Sequence, residues 1–298
     1  MKLPGIIIDI QERKFLFVLP VRMYRLCTIF EILCFGFVFQ YANAQVLQSL
    51  PSIKHRFIVV AHRGDHTRAP ENTIAAFENA IRDNADYIEI DLRTTSDSQL
   101  IIMHDASVDR MTNGRGLVKD LNLDSLKKFK VKDKLHPDRG EFDVPLFKEV
   151  LELCKGKINI YLDFKNADPR AAYNEIVRYG MEKQVTVYIN EEQPFYKWRK
   201  VAPEMPLMIS LPDHIKDTSS MKNFLNRYRA EILDGDYAQY SADMVKVAGR
   251  LGYLVLPDIQ GDNEGPELWN QPIQKGIRGL QTNHPMALIS YLTEKGLR

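Results

Sequence analysis

Cysteine is nearly absent, with three in 298 residues. Cys27 and Cys34 fall within the first 44 residues, so the remainder of the chain holds Cys154 alone. A single thiol closes no internal disulfide, which excludes a stapled scaffold and leaves stability to a buried core. Charge of one sign is also lacking. The formal net charge is +1, and no broad basic field argues for nucleic acid as a partner. No Gly-rich phosphate loop follows the first strand-like run, which counts against an open doubly wound sheet. Internal repeats, low-complexity tracts and an inter-domain linker are missing too. What is present, 45% apolar and 27% charged residues, suffices for a full-sized globular core.

The N terminus reads as a targeting segment. Arg22 and Arg25 precede an apolar run from Ile32 to Phe39, and Ala42-Asn-Ala44 supplies a small-x-small pattern before Gln45. The run is short for a bilayer span, although a membrane anchor is the competing reading. No small-residue lipobox precedes Cys34, which argues against a lipoprotein. Translation from Met23 gives a more regular signal than residues 1–22 allow. The expectation is a signal over 1–44 and a single domain over 45–298, exported to the periplasm or secreted, with no stable membrane span. Loss of 1–44 removes five basic and three acidic residues and leaves a formal charge of −1.

Within that domain the stretch Tyr87-Ile-Glu-Ile-Asp-Leu-Arg93 organises the rest. Ile88, Ile90 and Leu92 alternate with Tyr87, Glu89, Asp91 and Arg93, the period of a β-strand. Glu89 and Asp91 then share one face, where two like charges repel unless water, a proton or a cation intervenes. Taken alone, an ordinary wet face explains them better than a metal site.

Other strand-like runs are Phe57 to Ala61, Leu100 to Met103, Ile158 to Phe164, Val185 to Ile189 and Leu207 to Ser210. Ala230 to Leu233, Tyr253 to Leu256 and Gly279 to Thr282 complete the set. Helical patterns separate most of them, beginning with Thr73 to Ile81, which Asn72 or Thr73 caps. Only Thr94 to Gln99 separates the Tyr87 and Leu100 runs, too few residues for a parallel crossover, so that pair is an antiparallel hairpin. Setting the Leu100 run aside leaves eight strands. The expected fold is a distorted (β/α)8 TIM barrel with a β-hairpin after the second strand and an insertion, His104 to about Lys157, before the third.

In such barrels the chemistry lies at the C-terminal strand ends. Here those ends carry His62 and Arg63, then Glu89 and Asp91, then His104 and Asp105 on the returning hairpin, then Asp163 and Lys165. Singly, each has a bland structural explanation; their convergence on one barrel mouth favours a site. Three carboxylates without cysteine suit one hard divalent cation, Ca2+ or Mg2+. Arg63 and Lys165 suit phosphate oxygens, and two histidines provide a general acid and a general base. Together they point to cleavage of a small-molecule phosphodiester.

At these residues the sequence resembles the glycerophosphodiester phosphodiesterases. The resemblance runs from about Arg56 to the C terminus. It is carried by Ala61-His-Arg-Gly64, Pro70-Glu-Asn-Thr73, Glu89-x-Asp91, His104-Asp105 and Thr112-Asn-Gly114, in order and at family spacing. It implies Glu89, Asp91 and Asp163 as metal ligands, His62 and His104 as the acid–base pair, and Arg63 and Lys165 as the phosphate clamp. It also implies hydrolysis of glycerophosphodiesters to glycerol 3-phosphate and an alcohol. Three positions depart from the family pattern. Asp163 stands where most relatives carry glutamate, Leu256-Pro-Asp258 replaces a Trp-Thr pair, and Thr282-Asn-His-Pro285 replaces Thr-Asp-x-Pro. The alternatives are a lysophospholipase D-like enzyme that forms a cyclic phosphate and a non-catalytic phosphodiester-binding protein. Pure capture has no use for two histidines. Among the remaining residues, Glu71 and Asn72 are expected to organise the first loop, Asp105 to support rather than ligate, and Trp198 and Trp269 to pack.

Overall fold

The computed structural model describes residues 50–298 apart from 134–136, 138, 139 and 262. The signal expected over 1–44 lies outside the described residues. The chain begins with β1 (Ile58–Ala61) and α1 (Ile74–Arg82), followed by β2 (Tyr87–Thr94) and β3 (Leu100–Ile102). An excursion then carries α2 (Leu123–Leu126), the small ribbon β4 (Val131–Lys132) and β5 (Glu141–Phe142), and α3 (Phe147–Cys154). Strand–helix units follow: β6 (Asn159–Asn166), α4 (Pro169–Tyr179), β7 (Val185–Tyr188), α5 (Glu192–Val201), β8 (Leu207–Ser210) and α6 (Thr218–Arg227). The last units are β9 (Ile232–Asp234), α7 (Ala242–Arg250), β10 (Leu254–Val255), α8 (Pro266–Gln274), β11 (Gly279–Thr282) and α9 (Pro285–Glu294).

Strands pair in the order β10-β9-β8-β7-β6-β2-β1-β11, all parallel, with β3 antiparallel on β2. The ring closes through a bridge between Asp258 and Gln281, where Ile259 N donates to Gln281 O at 3.0 Å and Gln281 N to Pro257 O at 3.0 Å. The expected barrel and hairpin are therefore both present. Leu92 pairs with Ile102, and Met103 N still donates to Asp91 O at 2.9 Å, so the hairpin delivers His104 beside the end of β2.

Alternation along β2 sorts its side chains between two environments. Ile88, Ile90 and Leu92 face outward, fully buried with Phe77 of α1 and Phe147 of α3, each contributing about 1.5–3 kcal/mol. Tyr87 faces inward, with Ile58, Val60, Tyr161, Met208, Ile232 and Leu256 filling the barrel. The excursion has its own core around Ile101, Met103, Val108, Met111, Val118, Leu126, Val131 and Leu146. Trp198 and Trp269 are buried as expected. So is Cys154, whose thiol burial pushes up to about 12, out of the reactive range.

Several boundaries differ from the sequence expectation. β9 starts at Ile232 rather than Ala230, because Ala230 N turns back to Tyr228 O at 2.8 Å. Helix α9 follows the last strand, as a (β/α)8 barrel requires, but its own sequence signals it weakly. Its apolar residues surround the axis rather than forming one stripe, so the helical period is faint, and Pro285 at its first turn is the clearest start signal.

Candidate active site

Two residues with positive φ build the loop that opens the site. Arg63 (φ 52) and Asn72 (φ 56) adopt left-handed backbone that non-glycine residues seldom take. Asn72 N donates to Arg63 O at 3.0 Å, and Arg63 N donates to Glu89 Oε2 at 2.8 Å. Gly64 between them has φ 79, and a Cβ there meets the Ala76 carbonyl carbon at 2.7 Å. Loop and helix α1 thus approach at backbone distance, and only glycine fits. The α1 cap is Thr73, whose Oγ1 accepts from Ala76 N.

Glu89, Asp91 and Asp163 converge. Asp91 and Asp163 are register partners across β2 and β6, and one oxygen from each of the three carboxylates lies within 4.8 Å of the others. Glu89 is 2% and Asp91 1% exposed, so the wet-face explanation of this strand does not hold. Burial, then the charges of Asp91 and Asp163, hold the Glu89 carboxyl well above its ordinary value. Burial and the Asp91 charge push Asp163 up to about 6.

Partners within the chain meet only part of this charge. Asn72 Nδ2 donates to Asp91 Oδ2 at 2.7 Å, and Lys165 Nζ bonds Asp163 Oδ2. Asp91 Oδ1 lies 3.2 Å from Lys165 Nζ but receives no well-formed hydrogen bond, and Arg63 Nε, 3.5 Å from Asp91 Oδ2, donates none. A buried acceptor and a buried donor are left over at the same place. An all-oxygen donor set with an orphaned carboxylate oxygen fits a hard divalent cation, and the orphaned guanidinium N–H fits an anionic oxygen.

The histidines stand in different settings. His62 Nδ1 bonds Asn283 Oδ1 at 2.7 Å, and its Nε2 points toward Glu89 Oε2 at 4.0 Å. Burial, then the Arg63 charge, lower its pKa to about 3. His104 is about one-third exposed, and its Nδ1 bonds Asp105 Oδ1 at 2.8 Å. Arg110 holds Asp105 (Nε to Oδ2, 2.5 Å) and Glu71 (Nη2 to Oε1, 2.7 Å), and Glu71 also accepts from Arg63 Nη1 at 3.0 Å. These ion pairs link the excursion to the first loop. Burial raises the Glu71 carboxyl, but Arg110 and Arg63 outweigh it and hold the group below its ordinary value.

All seven residues singled out from the sequence, His62, Arg63, Glu89, Asp91, His104, Asp163 and Lys165, lie at this end of the barrel. Glu71 and Asn72 organise the first loop and Asp105 supports His104, as expected. Three further residues have a supporting role that sequence alone does not assign. Asn283 holds His62 from the far end of the chain, and Glu264 fixes that loop by accepting from Asn283 N at 2.8 Å and from Thr282 Oγ1. Arg93 ties down the His104 backbone, donating to Met103 O (3.1 Å) and to His104 O (3.0 and 2.6 Å). Its signal was visible, because strand alternation places Arg93 on the face of Glu89 and Asp91.

The chain is similar to known proteins over most of its length. A model of the glycerophosphoryl diester phosphodiesterase family matches residues 62–257. YhdW of Bacillus subtilis is 36% identical over 244 residues, covering 78% of this chain and 96% of that protein. A glycerophosphodiester phosphodiesterase of Caldanaerobacter subterraneus subsp. tengcongensis is 29% identical over 247 residues, covering 80% and 99%. Among solved structures, a glycerophosphodiester phosphodiesterase from Agrobacterium tumefaciens superposes with a TM-score of 0.70 at 25% identity, covering 78% of this chain and 99% of that one.

Proposed function

Because this chain belongs to the glycerophosphoryl diester phosphodiesterase family, we propose that it hydrolyses glycerophosphodiesters to glycerol 3-phosphate and an alcohol. The observation that carries the proposal is the carboxylate triad, two of its members buried, set beside Arg63, Lys165 and two histidines in unlike surroundings. In this reading Glu89, Asp91 and Asp163 hold one divalent cation, Ca2+ or Mg2+. When bound, that cation supplies positive charge to the phosphate and relieves the repulsion among the three carboxylates.

The chain's own groups do the rest. Arg63 and Lys165 bind and orient the phosphate oxygens, with Arg63 Nε already free to donate. Asn283 Oδ1 accepts from His62 Nδ1, which places the ring proton there and leaves Nε2 with a lone pair. His62 is thus assigned as the base that takes a proton from the attacking water, whose oxygen enters glycerol 3-phosphate. His104, with Nδ1 on the Asp105 carboxylate, is suited to carry a second proton and give it to the leaving alkoxide. The P–O bond to the alcohol breaks as the new one forms, and both protons are accounted for. Assay of a panel of glycerophosphodiesters with each cation tests the proposal; no hydrolysis of any of them refutes it.

Asp163 is one methylene shorter than the usual glutamate and also binds Lys165. If it serves as a ligand, Asp163→Glu should keep cation affinity within about tenfold. A folded variant that no longer binds cation, measured by titration calorimetry, contradicts this. In the same proposal residues 1–44 direct export, and the mature chain starts at Gln45. N-terminal sequencing of the exported protein should read Gln-Val-Leu, and a retained leader overturns the assignment.

A further inference from the structure

A second pair of carboxylates stands on the other side of His62. Going round the barrel from β1, the next strand is β11, and Gln281 of β11 bridges to Asp258 just after β10. Asp234 ends the neighbouring β9. Its Oδ2 accepts from Tyr161 OH at 2.9 Å and from Ser210 Oγ at 3.5 Å, and its Oδ1 accepts from nothing. Asp258 Oδ1 accepts from the Gln281 amide and from Gln260 Nε2 at 3.2 Å. Gln281 is 4% exposed, and its amide, turned onto Asp258, has a buried Oε1 with no donor.

The contrast with the triad lies in the counter-charge. Among the described residues Asp234 and Asp258 form no ion pair. Lys165, whose charge Asp258 feels, is bound by Asp163 and Asp91 instead. Burial holds Asp234 well above its ordinary value, with the Asp258 charge adding to it, and burial pushes Asp258 up to about 6 despite the Gln281 bond. The groups left without partners, Asp234 Oδ1 and Gln281 Oε1, are both acceptors. They lack a donor, and the wall lacks a positive charge. A primary ammonium supplies both, with three N–H groups on one cation. Two strand spacings, on the order of 10 Å, separate Asp258 from β1, a span suited to a phosphate and a short aminoalkyl arm.

We propose that Asp258, backed by Asp234 and Gln281, forms a subsite for a primary ammonium on the leaving alcohol, an inference that rests on the phosphodiesterase reading above. The enzyme then selects diesters with an aminoalkyl head group over uncharged ones of the same size. The test compares kcat/KM for glycerophosphoethanolamine with that for its uncharged isostere, the 2-hydroxyethyl diester, at saturating Ca2+ or Mg2+. The wild-type ratio should be roughly ten to a hundred in favour of the amine, the usual size of a hydrogen bond to a charged group. In Asp258→Asn the ratio should fall toward one. A general loss of fold or catalytic power does not move a ratio, so the two explanations separate. Equal wild-type rates on both esters, or a ratio unchanged in Asp258→Asn, overturn the subsite and leave the phosphodiesterase reading standing. Cleavage of neither ester overturns both.

Discussion

Turnover of a glycerophosphodiester should disappear in excess EDTA and return when Ca2+ or Mg2+ is restored. The expectation follows from three carboxylates within 4.8 Å of one another, two of them almost fully buried. Their charge exceeds what Arg63 and Lys165 neutralise, and a divalent cation is the ordinary remedy. The same crowding gives a readout independent of catalysis. Asp163 has its folded-state pKa raised from 3.8 to about 6, so the folded chain holds that proton more tightly than the unfolded chain. The associated stability is present below about pH 3.8 and is lost as pH rises through about 6. With chelator, the melting temperature should therefore fall across that window. With cation it should rise at neutral pH, because only the folded state presents the assembled ligands. Full turnover in EDTA, or melting indifferent to cation at neutral pH, contradicts the assignment.

Replacing either histidine with alanine should cost at least about a hundredfold in kcat, the usual size of a general acid or base contribution. The two variants should differ in kind. His62 is buried and bonded to a neutral amide, so His62→Ala removes the acceptor of the nucleophile's proton. His104 is more exposed and paired with a carboxylate, so His104→Ala removes a donor to the leaving group. A diester with an acidic leaving alcohol, such as p-nitrophenol, needs little protonation. It should recover most of the loss in His104→Ala and little of it in His62→Ala. Wild-type turnover in both variants, or equal rescue of both, refutes the division of labour.

The candidate catalytic face was legible in sequence because it is local. Glu89, Asp91 and Arg93 share a strand face by alternation, and Asp163 and Lys165 repeat the pattern on the strand that pairs with it. Six residues between the β2 and β3 runs dictated a hairpin, which returned His104 to the same end. Asn283 lies 221 positions from His62, and no local period connects them. Their contact exists only once β1 and β11 pair. The Asp234–Asp258 wall was hidden for a similar reason. β10 has two residues, too few for alternation to show, and the placement of Asp258 depends on a bridge formed after the strand ends.

That closing bridge has a consequence for how the molecule can change. On the chemical side of the ring, β2 and β6 share a long ladder, and substitutions there disturb the triad itself. On the opposite side, β10 pairs with β9 through two residue pairs and meets β11 at Asp258. With the proposed subsite on that side, single substitutions there should exchange one head group for another while the triad stays in place. The hydrolytic machinery, anchored across the barrel, need not be rebuilt.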